Sequence, residues 1–253
     1  MYREERILIY FGYLNKHKFV STKAFLQFAK NEDIKEITAR RDLINLKNHG
    51  LISMELGLIQ LLTSKTGEIP RIKKQTLNND SKLEIAKKAV KFLSNDDVIF
   101  VSAGTTMEKF ISKIHVIIDT LYTNGLEIVR EASKNPYIKK IILFGGRFRS
   151  KSSSVVGTFA LREIEQMRFF KAFFSVTNLD SNGTLWNNHI EEAIVLNEII
   201  KKSNYSYLLL DDSKIGSLGT SKVCYLSEVT HFITNKNESK DQIDRLSKFT
   251  NII

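Results

Sequence analysis

The residues Thr38 to Leu43, with the sequence TARRDL, are the part of the chain whose spacing most strongly indicates chemistry. Thr38, Arg40 and Arg41 lie within one and a half turns of a predicted short helix, and they supply donors for base edges and phosphates. A helix with such side chains near its N-terminal end has what a DNA-recognition helix needs. The alternative is an ordinary solvated helix surface on which Asp42 pairs locally.

A second group of candidate residues follows the apolar run VIFVS, where Gly104, Thr105 and Thr106 connect a predicted strand to a predicted helix. The amides and the dipole of a helix N-terminus attract anions, so this turn is suited to a phosphate. Thr105 and Glu108 also have the spacing of a capping box, which would make the turn structural. Both interpretations stay open at the level of sequence.

Several other turns follow predicted strands, as a ligand site at the carboxyl ends of a parallel sheet requires. Gly145 and Gly146 allow a ligand to approach the backbone closely, and Lys214 supplies an ammonium group for a phosphate. These turns are LYTNG (121–125), LFGGRFR (143–149) with SSVVG (153–157), and LLLDDSKIG (208–216).

Three helical segments and a short hairpin are predicted to position the TARRDL residues. Apolar residues at helical spacing predict a helix over Arg6 to Leu14, and Ser21 opens a second helix. After a polar break at 31–33, the apolar pattern resumes through Ile34, Ile37, Leu43 and Leu46 and stops at 48–50. LISMELGLIQLL then predicts two strands that turn near 55–57. Residues 1–63 are therefore expected to form a winged helix-turn-helix.

The segment 64–80 breaks all periodicity and is predicted to be a linker. Ser81 and Glu84 have the spacing of a capping box, which predicts a helix from Ser81 to about Ser94. Beyond it, apolar runs alternate with helical patterns, and such alternation is typical of a parallel sheet flanked by helices. The fold class is therefore α/β, with a second domain of mostly parallel sheet over 81–253.

Charge and cysteine content bound the function further. The 253 residues carry a formal net charge of +10, and residues 71–91 form a basic segment suited to nonspecific phosphate contacts. The single cysteine, Cys224, excludes an internal disulfide framework and any site with several cysteine ligands.

We expect no metal and no cofactor. Without a membrane-length apolar run or a signal-peptide layout, we expect a cytoplasmic protein with no membrane partner.

The stretch IKEITARRDLINLKNHGLI resembles the recognition region of the DeoR family of bacterial repressors, whose pattern centres on TIRRDL. The resemblance implies that this helix enters the major groove and that it contacts DNA through Lys35, Glu36, Thr38, Arg40 and Arg41. Two departures are visible. The segment from Ser21 to Thr38 is about three residues longer than the family pattern, and the wing reads MELGLIQ where the family usually carries a His-Gly-Gly run.

The order of the later turns resembles the DeoR-type sensor domain, which is similar to sugar-phosphate isomerases of the ribose-5-phosphate isomerase and glucosamine-6-phosphate deaminase group. The resemblance covers the chain from Arg6 to about Ile233. Ser102 stands where the family usually has Asp, and Asn178 stands where it has Gly. The resemblance implies a phosphorylated sugar against Gly104, Thr105, Thr106, Thr123, Asn124, Gly145, Gly146 and Lys214, with Glu192 nearby.

These observations together predict a transcriptional regulator and not an enzyme. We expect a homo-oligomer, a dimer or a tetramer, that represses genes of sugar uptake or catabolism from a double-stranded DNA operator under the control of a sugar phosphate. One alternative is a sugar-phosphate isomerase or deaminase with a fused DNA-binding module, which would need a general base among Asp211, Asp212, Glu191 and Glu192. Another is a nonspecific nucleic-acid-binding protein that acts through residues 71–91.

Overall fold

A computed structural model describes residues 3–17, 19–48, 52–61, 71–235 and 240–253. The chain divides into two compact units, residues 1–76 and 77–253. The predicted linker 64–80 lies partly outside the described residues, and where it is described it contains a helix from Arg71 to Thr76. Within the described ranges, no helix is both long enough and apolar enough to cross a membrane.

The first unit is a winged helix-turn-helix, in agreement with the prediction. Its three strands form an antiparallel sheet in the order β1, β3, β2 beside three helices, and a fourth helix follows. The elements are α1 (Arg3–Lys16), β1 (Val20–Ser21), α2 (Thr22–Asn31), α3 (Glu36–Asn48), β2 (Ile52–Glu55), β3 (Leu58–Leu61) and α4 (Arg71–Thr76).

Local hydrogen bonds define the start of α2 and the turn of the wing. The Ala24 amide donates to Ser21 Oγ at 3.1 Å, so Ser21 caps the helix as its position in the sequence predicts. Leu56 and Gly57 both have positive φ, 49° and 75°, which is the geometry of a tight two-residue hairpin. The amide and hydroxyl of Thr22 donate to the Gly57 carbonyl at 2.8 and 3.0 Å, which ties the wing to α2.

A buried ion pair joins α1 to α3. Asp42 is almost fully buried, and Arg6 donates to its two carboxylate oxygens from Nε at 2.8 Å and from Nη2 at 3.3 Å. The hydrogen bond to Asp42 raises the pKa of Arg6 above its ordinary value, so the guanidinium stays charged. The interpretation that Asp42 pairs locally is therefore wrong, because its partner lies 36 positions away in sequence.

The second unit contains a seven-stranded sheet in which every neighbouring pair of strands is parallel. Its strand order is β15, β14, β12, β9, β4, β5, β6. The elements are α5 (Asn79–Ala89), β4 (Asp97–Val101), α6 (Thr105–Ile111), β5 (Ile118–Thr123), α7 (Leu126–Ala132), β6 (Ile138–Leu143), β7 (Arg147–Arg149), β8 (Ser154–Val156), α8 (Thr158–Glu165), β9 (Phe169–Phe174), β10 (Asn178–Leu179), β11 (Thr184–Asn187), α9 (Ile190–Lys201), β12 (Ser203–Leu209), β13 (Ser221–Tyr225), β14 (His231–Ile233), α10 (Lys240–Leu246) and β15 (Asn251–Ile252).

Helices cover both faces of this sheet, so its central strands are buried on both sides. Along β4, Ile99 and Val101 belong to the apolar cluster that includes residues of α5, α6 and α7, whereas Phe100 belongs to the cluster with Ile164 of α8 and Val195 of α9. Successive side chains of a strand point to opposite faces, which explains why VIFV is a continuous apolar run. The predicted α/β fold is confirmed.

The start of α5 differs from the prediction. The helix begins at Asn79, and its N-cap is Asn78 in a left-handed conformation with φ 54°. Ser81 therefore lies within the first turn and cannot act as the N-cap of a capping box with Glu84. The Asn78 side chain instead donates to Asp211 Oδ1 at 2.9 Å and to Ser213 Oγ at 2.8 Å. A contact across 133 positions determines where the helix begins, and this contact has no local sequence signal.

The buried ion pair gives a prediction about the stability of the first unit. Asp42→Ala removes the carboxylate that faces the Arg6 guanidinium, and breaking a largely buried pair in this way is expected to destabilise the unit by about 3 kcal/mol. Native-state hydrogen exchange read by mass spectrometry should show faster exchange in peptides from residues 3–61 and unchanged exchange in peptides from residues 77–253.

The matched control is Glu36→Ala, which breaks the ion pair with Arg40 on the exposed surface of the same helix, where both side chains are more than half exposed. An exposed pair of this kind contributes at most about 0.5 kcal/mol. Equal effects of the two substitutions would show that Asp42 does not anchor α3.

Candidate functional site

The exposed face of α3 carries most of the residues predicted to contact DNA. Lys35, just before the helix, and Glu36, Arg40 and Arg41 on it are exposed, whereas Thr38 is half-buried. Each helical residue is rotated by about 100° from the one before it, so Thr38 and Arg40 point in directions roughly 160° apart. Thr38, Arg40 and Arg41 therefore do not share one edge of the helix. Thr38 and Arg40 lie on opposite flanks, and Arg41 lies between them.

The two arginines of this helix have different surroundings. Arg40 donates from Nε to Glu36 Oε1 at 2.8 Å, and its Nη2 lies 2.8 Å from the same oxygen. In the part of the chain that the structure describes, Arg41 has no ion-pair or hydrogen-bond partner. A guanidinium without an internal partner keeps its donors available for a phosphate or a base edge. Arg41 is therefore better placed than Arg40 to bind DNA directly.

A basic groove runs between α2 and the start of α3. It is lined by Lys23 and Lys30 of α2 together with Lys35, Glu36 and Arg40. The sequence reasoning missed Lys23 and Lys30, although they are seven residues apart and so lie on the same face of the helix two turns from each other. Lysines beside a recognition helix are suited to contacts with the phosphate backbone.

In the second unit, the loops that follow the central strands meet at one edge of the sheet. Thr123 Oγ1 donates to the Val101 carbonyl at 2.6 Å, and the Ala103 amide donates to Asn124 Oδ1 at 3.0 Å. Gly125 leaves room for this approach, because a Cβ there would lie 2.9 Å from Ala103 Cα. Thr123 and Asn124 thus hold the loop after β4 in place.

The Gly-Thr-Thr turn opens α6, and Gly104 is its N-cap with φ 146° and no side-chain cap. Thr105 is already inside the helix, so the interpretation as a capping box of Thr105 and Glu108 is wrong. Thr106 is buried, and its hydroxyl oxygen has no hydrogen-bond partner among the described residues. Buried polar atoms without partners are rare, and each calls for an explanation such as a bound water, an ion or a ligand.

Two lysines lie beside the buried carboxylate of Asp211, at the end of β12. Lys214 Nζ lies 3.3 Å from Asp211 Oδ2. Lys82 of α5 is only 2% exposed and donates to the Leu77 carbonyl at 2.6 Å. Burial alone would raise the pKa of Asp211, but Lys214 and hydrogen bonds from Ser213 and Asn78 outweigh it and lower that pKa. The carboxylate therefore stays ionised among these cations.

The sequence reasoning missed Lys82 as a site residue, because it counted this lysine only as part of the basic segment 71–91. Burial and then the neighbouring Lys214 ammonium lower the pKa of Lys82 to about 8. A buried cation whose charged form is disfavoured costs stability, which is common where a protein holds a charge ready for a ligand of opposite sign. The signal in the sequence was weak: a lysine directly before the apolar residues of an amphipathic helix.

Other predicted ligand residues are engaged in holding the hairpin of β7 and β8. The Gly145 amide donates to Glu163 Oε2 at 3.0 Å. Gly146 has φ 142°, and a Cβ there would lie 2.9 Å from Val155 Cγ1. Glu192 accepts from Arg149 at 3.1 Å and from Ser154 at 3.0 Å. The Gly145 amide and the Glu192 carboxylate are therefore already engaged, and Gly146 leaves no room for a side chain.

The hairpin of β7 and β8 lies far across the sheet from Lys82 and Lys214. Strands β12 and β6 are four positions apart in the sheet, so their ends are roughly 19 Å apart at the usual strand spacing. The structure thus brings Gly104, Thr105 and Thr106 to the centre of this edge. Lys214 lies two strands away on one side, and Gly145 and Gly146 lie two strands away on the other.

Ser102 and Asn178, the two residues of the second unit that depart from the family pattern, both have hydrogen-bond partners. The Ser175 amide donates to Ser102 Oγ at 3.3 Å, which links the ends of β4 and β9. The Asn178 side-chain amide donates to Ser217 Oγ, which links β10 to the loop after Lys214. Ser175 Oγ is a second buried hydroxyl with no hydrogen-bond partner in the described ranges. At the position where the family usually has an acidic residue, the Ser102 side chain therefore places a neutral hydroxyl, and the Ser175 hydroxyl lies beside it.

A comparison with protein families matches the second unit. The family model for the DeoR C terminal sensor domain matches residues 77–236, more than half of the chain. The chain belongs to the DeoR family of transcriptional regulators. The match begins after the winged helix-turn-helix and spans most of the second unit.

Relatives with curated names match almost the whole chain. The lactose phosphotransferase system repressor of Staphylococcus epidermidis (strain ATCC 12228 / FDA PCI 1200) is 30% identical over 235 residues, which cover 91% of this chain and 92% of that protein. The repressor of the same name from Streptococcus mutans is 28% identical and covers 100% of both chains. Because these matches cover almost the whole chain, they include both of its units.

Solved structures with a similar fold match only part of the chain. Ribose 5-phosphate isomerase A from Methanocaldococcus jannaschii is 21% identical with a TM-score of 0.38, and the match covers 55% of each chain. The beta subunit of eIF2B from Chaetomium thermophilum is 13% identical with a TM-score of 0.47 and covers 68% of this chain and 54% of that one. The chain spans little more than half the length of either protein.

The lowered pKa of Lys82 gives a prediction about stability and pH. The folded protein releases this proton near pH 8 and the unfolded chain only near pH 10.5, so unfolding takes up a proton between these values and stability rises with pH across the window. Lys82→Met removes the buried charge and is expected to stabilise the second unit by about 2 kcal/mol at pH 7, and not at pH 10. Urea unfolding followed by the fluorescence of Trp186, the only tryptophan, measures this.

The control is Lys171→Met. Lys171 is a second buried lysine, and its Nζ lies 2.6 Å from Asp97 Oδ2. Loss of this ion pair should lower stability at both pH values. A stabilisation by Lys82→Met that is the same at pH 7 and pH 10 would mean that the charge of Lys82 is not its cause.

Proposed function

We propose that this protein is a sugar-responsive transcriptional repressor whose first unit binds an operator and whose second unit binds a phosphorylated sugar. The observation that carries the DNA-binding part is the exposed face of α3, where Arg41 has no partner among the described residues and a groove lined by lysines runs alongside. Guanidinium groups on a recognition helix bind guanine edges and phosphates in the major groove. Thr38, Arg40, Lys35 and Glu36 flank this contact.

The effector is proposed to be a sugar phosphate. The relatives are named as repressors of a lactose phosphotransferase system, and a system that transfers phosphate to a sugar yields a phosphorylated sugar. Lys82 and Lys214 offer two cations, and the turn Gly104–Thr106 offers amides and the unpartnered Thr106 hydroxyl. Phosphate oxygens accept hydrogen bonds from ammonium, amide and hydroxyl donors of these kinds.

The sugar end of the site is proposed to lie over the ends of β4 and β9. Ser102 and Ser175 line this edge, and Ser175 Oγ is available to a ligand hydroxyl. Hydroxyl side chains both donate and accept, so they suit a polyol without requiring a charge. Gly145, Gly146 and Glu192 serve to hold the neighbouring hairpin, while Thr123 and Asn124 hold the loop that binds phosphate.

A homo-oligomer is proposed because one recognition helix reads only a short half-site, and two-fold assemblies read two. Apolar side chains at the starts of α8 and α9 support an interface between copies: Phe159 is 72% exposed and Ile190 is 56% exposed. These helix starts are neighbours, since a Cβ at Gly157 would lie 3.7 Å from Glu191 Oε1. Ligand binding must favour one arrangement of the oligomer, because equal affinity for both arrangements shifts nothing.

Of the four carboxylates that could act as the general base of a sugar-phosphate isomerase, three are already engaged, which favours a regulator, and only the Asp212 side chain has no hydrogen-bond or ion-pair partner among the described residues. Asp211 accepts from Asn78 and Ser213 and pairs with Lys214, Glu191 pairs with Arg147, and Glu192 accepts from Arg149. A general base needs a carboxylate free to take a proton from the substrate. Of the basic residues 71–91 suggested for nonspecific phosphate contacts, Lys82 is buried within the second unit and does not contribute to such a surface.

The DNA-binding proposal predicts different effects for the two arginines. On an operator defined by footprinting upstream of sugar-uptake genes, Arg41→Ala is expected to reduce affinity by about 10- to 100-fold. Arg40→Ala is expected to reduce it less, because Glu36 already holds that guanidinium. Fluorescence anisotropy with labelled operator at several salt concentrations measures both affinities.

The control is Arg130→Ala, which removes an exposed arginine from the second unit and should leave operator affinity unchanged. The sugar-phosphate affinity of all three variants should equal that of the wild type. Binding of Arg41→Ala to the operator with wild-type affinity would refute the proposed recognition surface.

The effector proposal predicts that Thr106→Val weakens binding of a sugar phosphate by about tenfold, because it removes one hydrogen bond to a charged ligand. The melting temperature without ligand should not fall, since the Thr106 hydroxyl has no partner in the described protein. Thermal shift over a panel of aldose and ketose 6-phosphates measures both, with inorganic phosphate and the free sugars for comparison.

The matched control is Thr120→Val, because Thr120 is also buried but its hydroxyl donates to Asp119 at 2.8 Å. This substitution should lower the melting temperature and leave ligand affinity intact. If no sugar phosphate stabilises the wild type, the proposed effector class is wrong. If one does and Thr106→Val binds it equally well, the ligand lies elsewhere.

A further inference from the structure

Two isoleucines lie at the centre of the exposed face of α3. Ile37 is 84% exposed and Ile44 is 56% exposed. They are seven residues apart, so their side chains point in directions within about 20° of each other. The opposite face buries Ala39, Asp42 and Leu43. The sequence pattern that groups Ile37 with the buried apolar residues is therefore wrong, and its exposure calls for another explanation.

The surroundings of Ile37 favour DNA over an apolar protein surface as its partner. Ile37 lies in the first turn of α3, directly after Glu36, and Arg41 is one turn away at an angle of about 40°. Lys35 and Arg40 are exposed beside it. A protein partner that covered Ile37 with apolar groups would also have to remove these charges from water, which is unfavourable. A polyanion matches both the charges and the exposed position.

The major groove offers one apolar group on its base edges, the C5-methyl group of thymine. The remaining edge groups are hydrogen-bond donors and acceptors, which isoleucine cannot bind. The N-terminal turn of a recognition helix is the part that reaches base edges. An exposed isoleucine in this turn therefore has one chemically suitable target in the groove.

We propose that Ile37 reads a thymine in the operator by packing against its C5-methyl group, and so contributes specificity that the arginines do not provide. This inference rests on the proposed function, because it requires α3 to enter the major groove. Burial of one methyl-sized apolar group changes affinity by roughly fourfold, and an operator with two-fold symmetry would show the effect once in each half-site.

The test uses the full-length protein and an operator selected by it from a random DNA library. Each thymine of a half-site is replaced in turn by uracil, which keeps every hydrogen-bonding group and lacks only the methyl group. We expect one replacement to weaken wild-type binding by roughly fourfold or more. For Ile37→Ala, the same uracil replacement should have no further effect on affinity. The effects of the protein substitution and the base replacement on binding free energy should therefore be non-additive in a double-mutant cycle.

Ile44→Ala is the matched control. Ile44 lies seven residues further along the helix, about 10 Å away, which is about three base-pair steps. Its substitution should leave the fourfold effect of the uracil at the Ile37 position intact. Circular dichroism of Ile37→Ala should match that of the wild type, because the side chain is outside the core.

Several outcomes would overturn the inference. One is additivity of the isoleucine and uracil changes at every position, and another is wild-type affinity of Ile37→Ala. A change in the sedimentation of Ile37→Ala without any coupling to uracil would assign Ile37 to a contact between copies. Failure of the wild type to select any DNA sequence would instead refute the proposed function itself, and the inference with it.

Discussion

Parallel pairing of the central strands is the constraint on which the second unit depends. Parallel strands must be joined by crossovers, so the chain leaves every strand at the same edge of the sheet. From β4 the chain proceeds to β5 and β6 on one side and later to β9 and β12 on the other, with helices covering both faces. The loops that begin at Ser102, Ser175 and Asp211 therefore meet, although they are far apart in sequence. This edge of an open sheet is where such folds bind ligands.

Some polar side chains at this edge of the sheet have hydrogen-bond partners within the protein, and others do not. We propose that the first group holds the loops in place and that the second is available to a ligand. Thr123 and Asn124 use their side chains to hold the loop after β4, and Glu192 holds the adjacent hairpin. Thr106 and Ser175 keep buried hydroxyls without partners in the described structure. Lys82 keeps a charge that burial disfavours. The proposed effector site thus includes groups that cost the fold stability, as functional sites often do.

In the first unit, the short motif TARRDL likewise contains both residues that hold the structure together and residues that are exposed. In TARRDL, Asp42 is buried against Arg6, while the neighbouring Arg41 points about 100° away and stays exposed. Because a helix turns by about 100° per residue, anchoring Asp42 determines which neighbours face solvent. The buried ion pair and the buried apolar residues of the same face together direct Ile37 and Arg41 outward and leave Thr38 and Arg40 on the flanks. The motif is both part of the core and part of the proposed binding surface.

Local chemistry in the sequence was enough to predict what depends on near neighbours: the Ser21 cap, the hairpin near Gly57, the alternation of strands and helices, and the DeoR resemblance. It did not predict what depends on distant partners. The helix expected at Ser81 begins at Asn79 because Asn78 contacts Asp211 and Ser213, and Lys82 joins Lys214 only because α5 packs beside β12. Hydropathy alone could not distinguish the exposed Ile37 from a core residue. The sequence by itself indicated most of the helices and strands, since these follow from backbone preferences and periodicity, and it indicated the family through the resemblance of the TARRDL region. Only the tertiary structure decided which polar and apolar side chains remain available, because that depends on contacts between residues far apart in the chain.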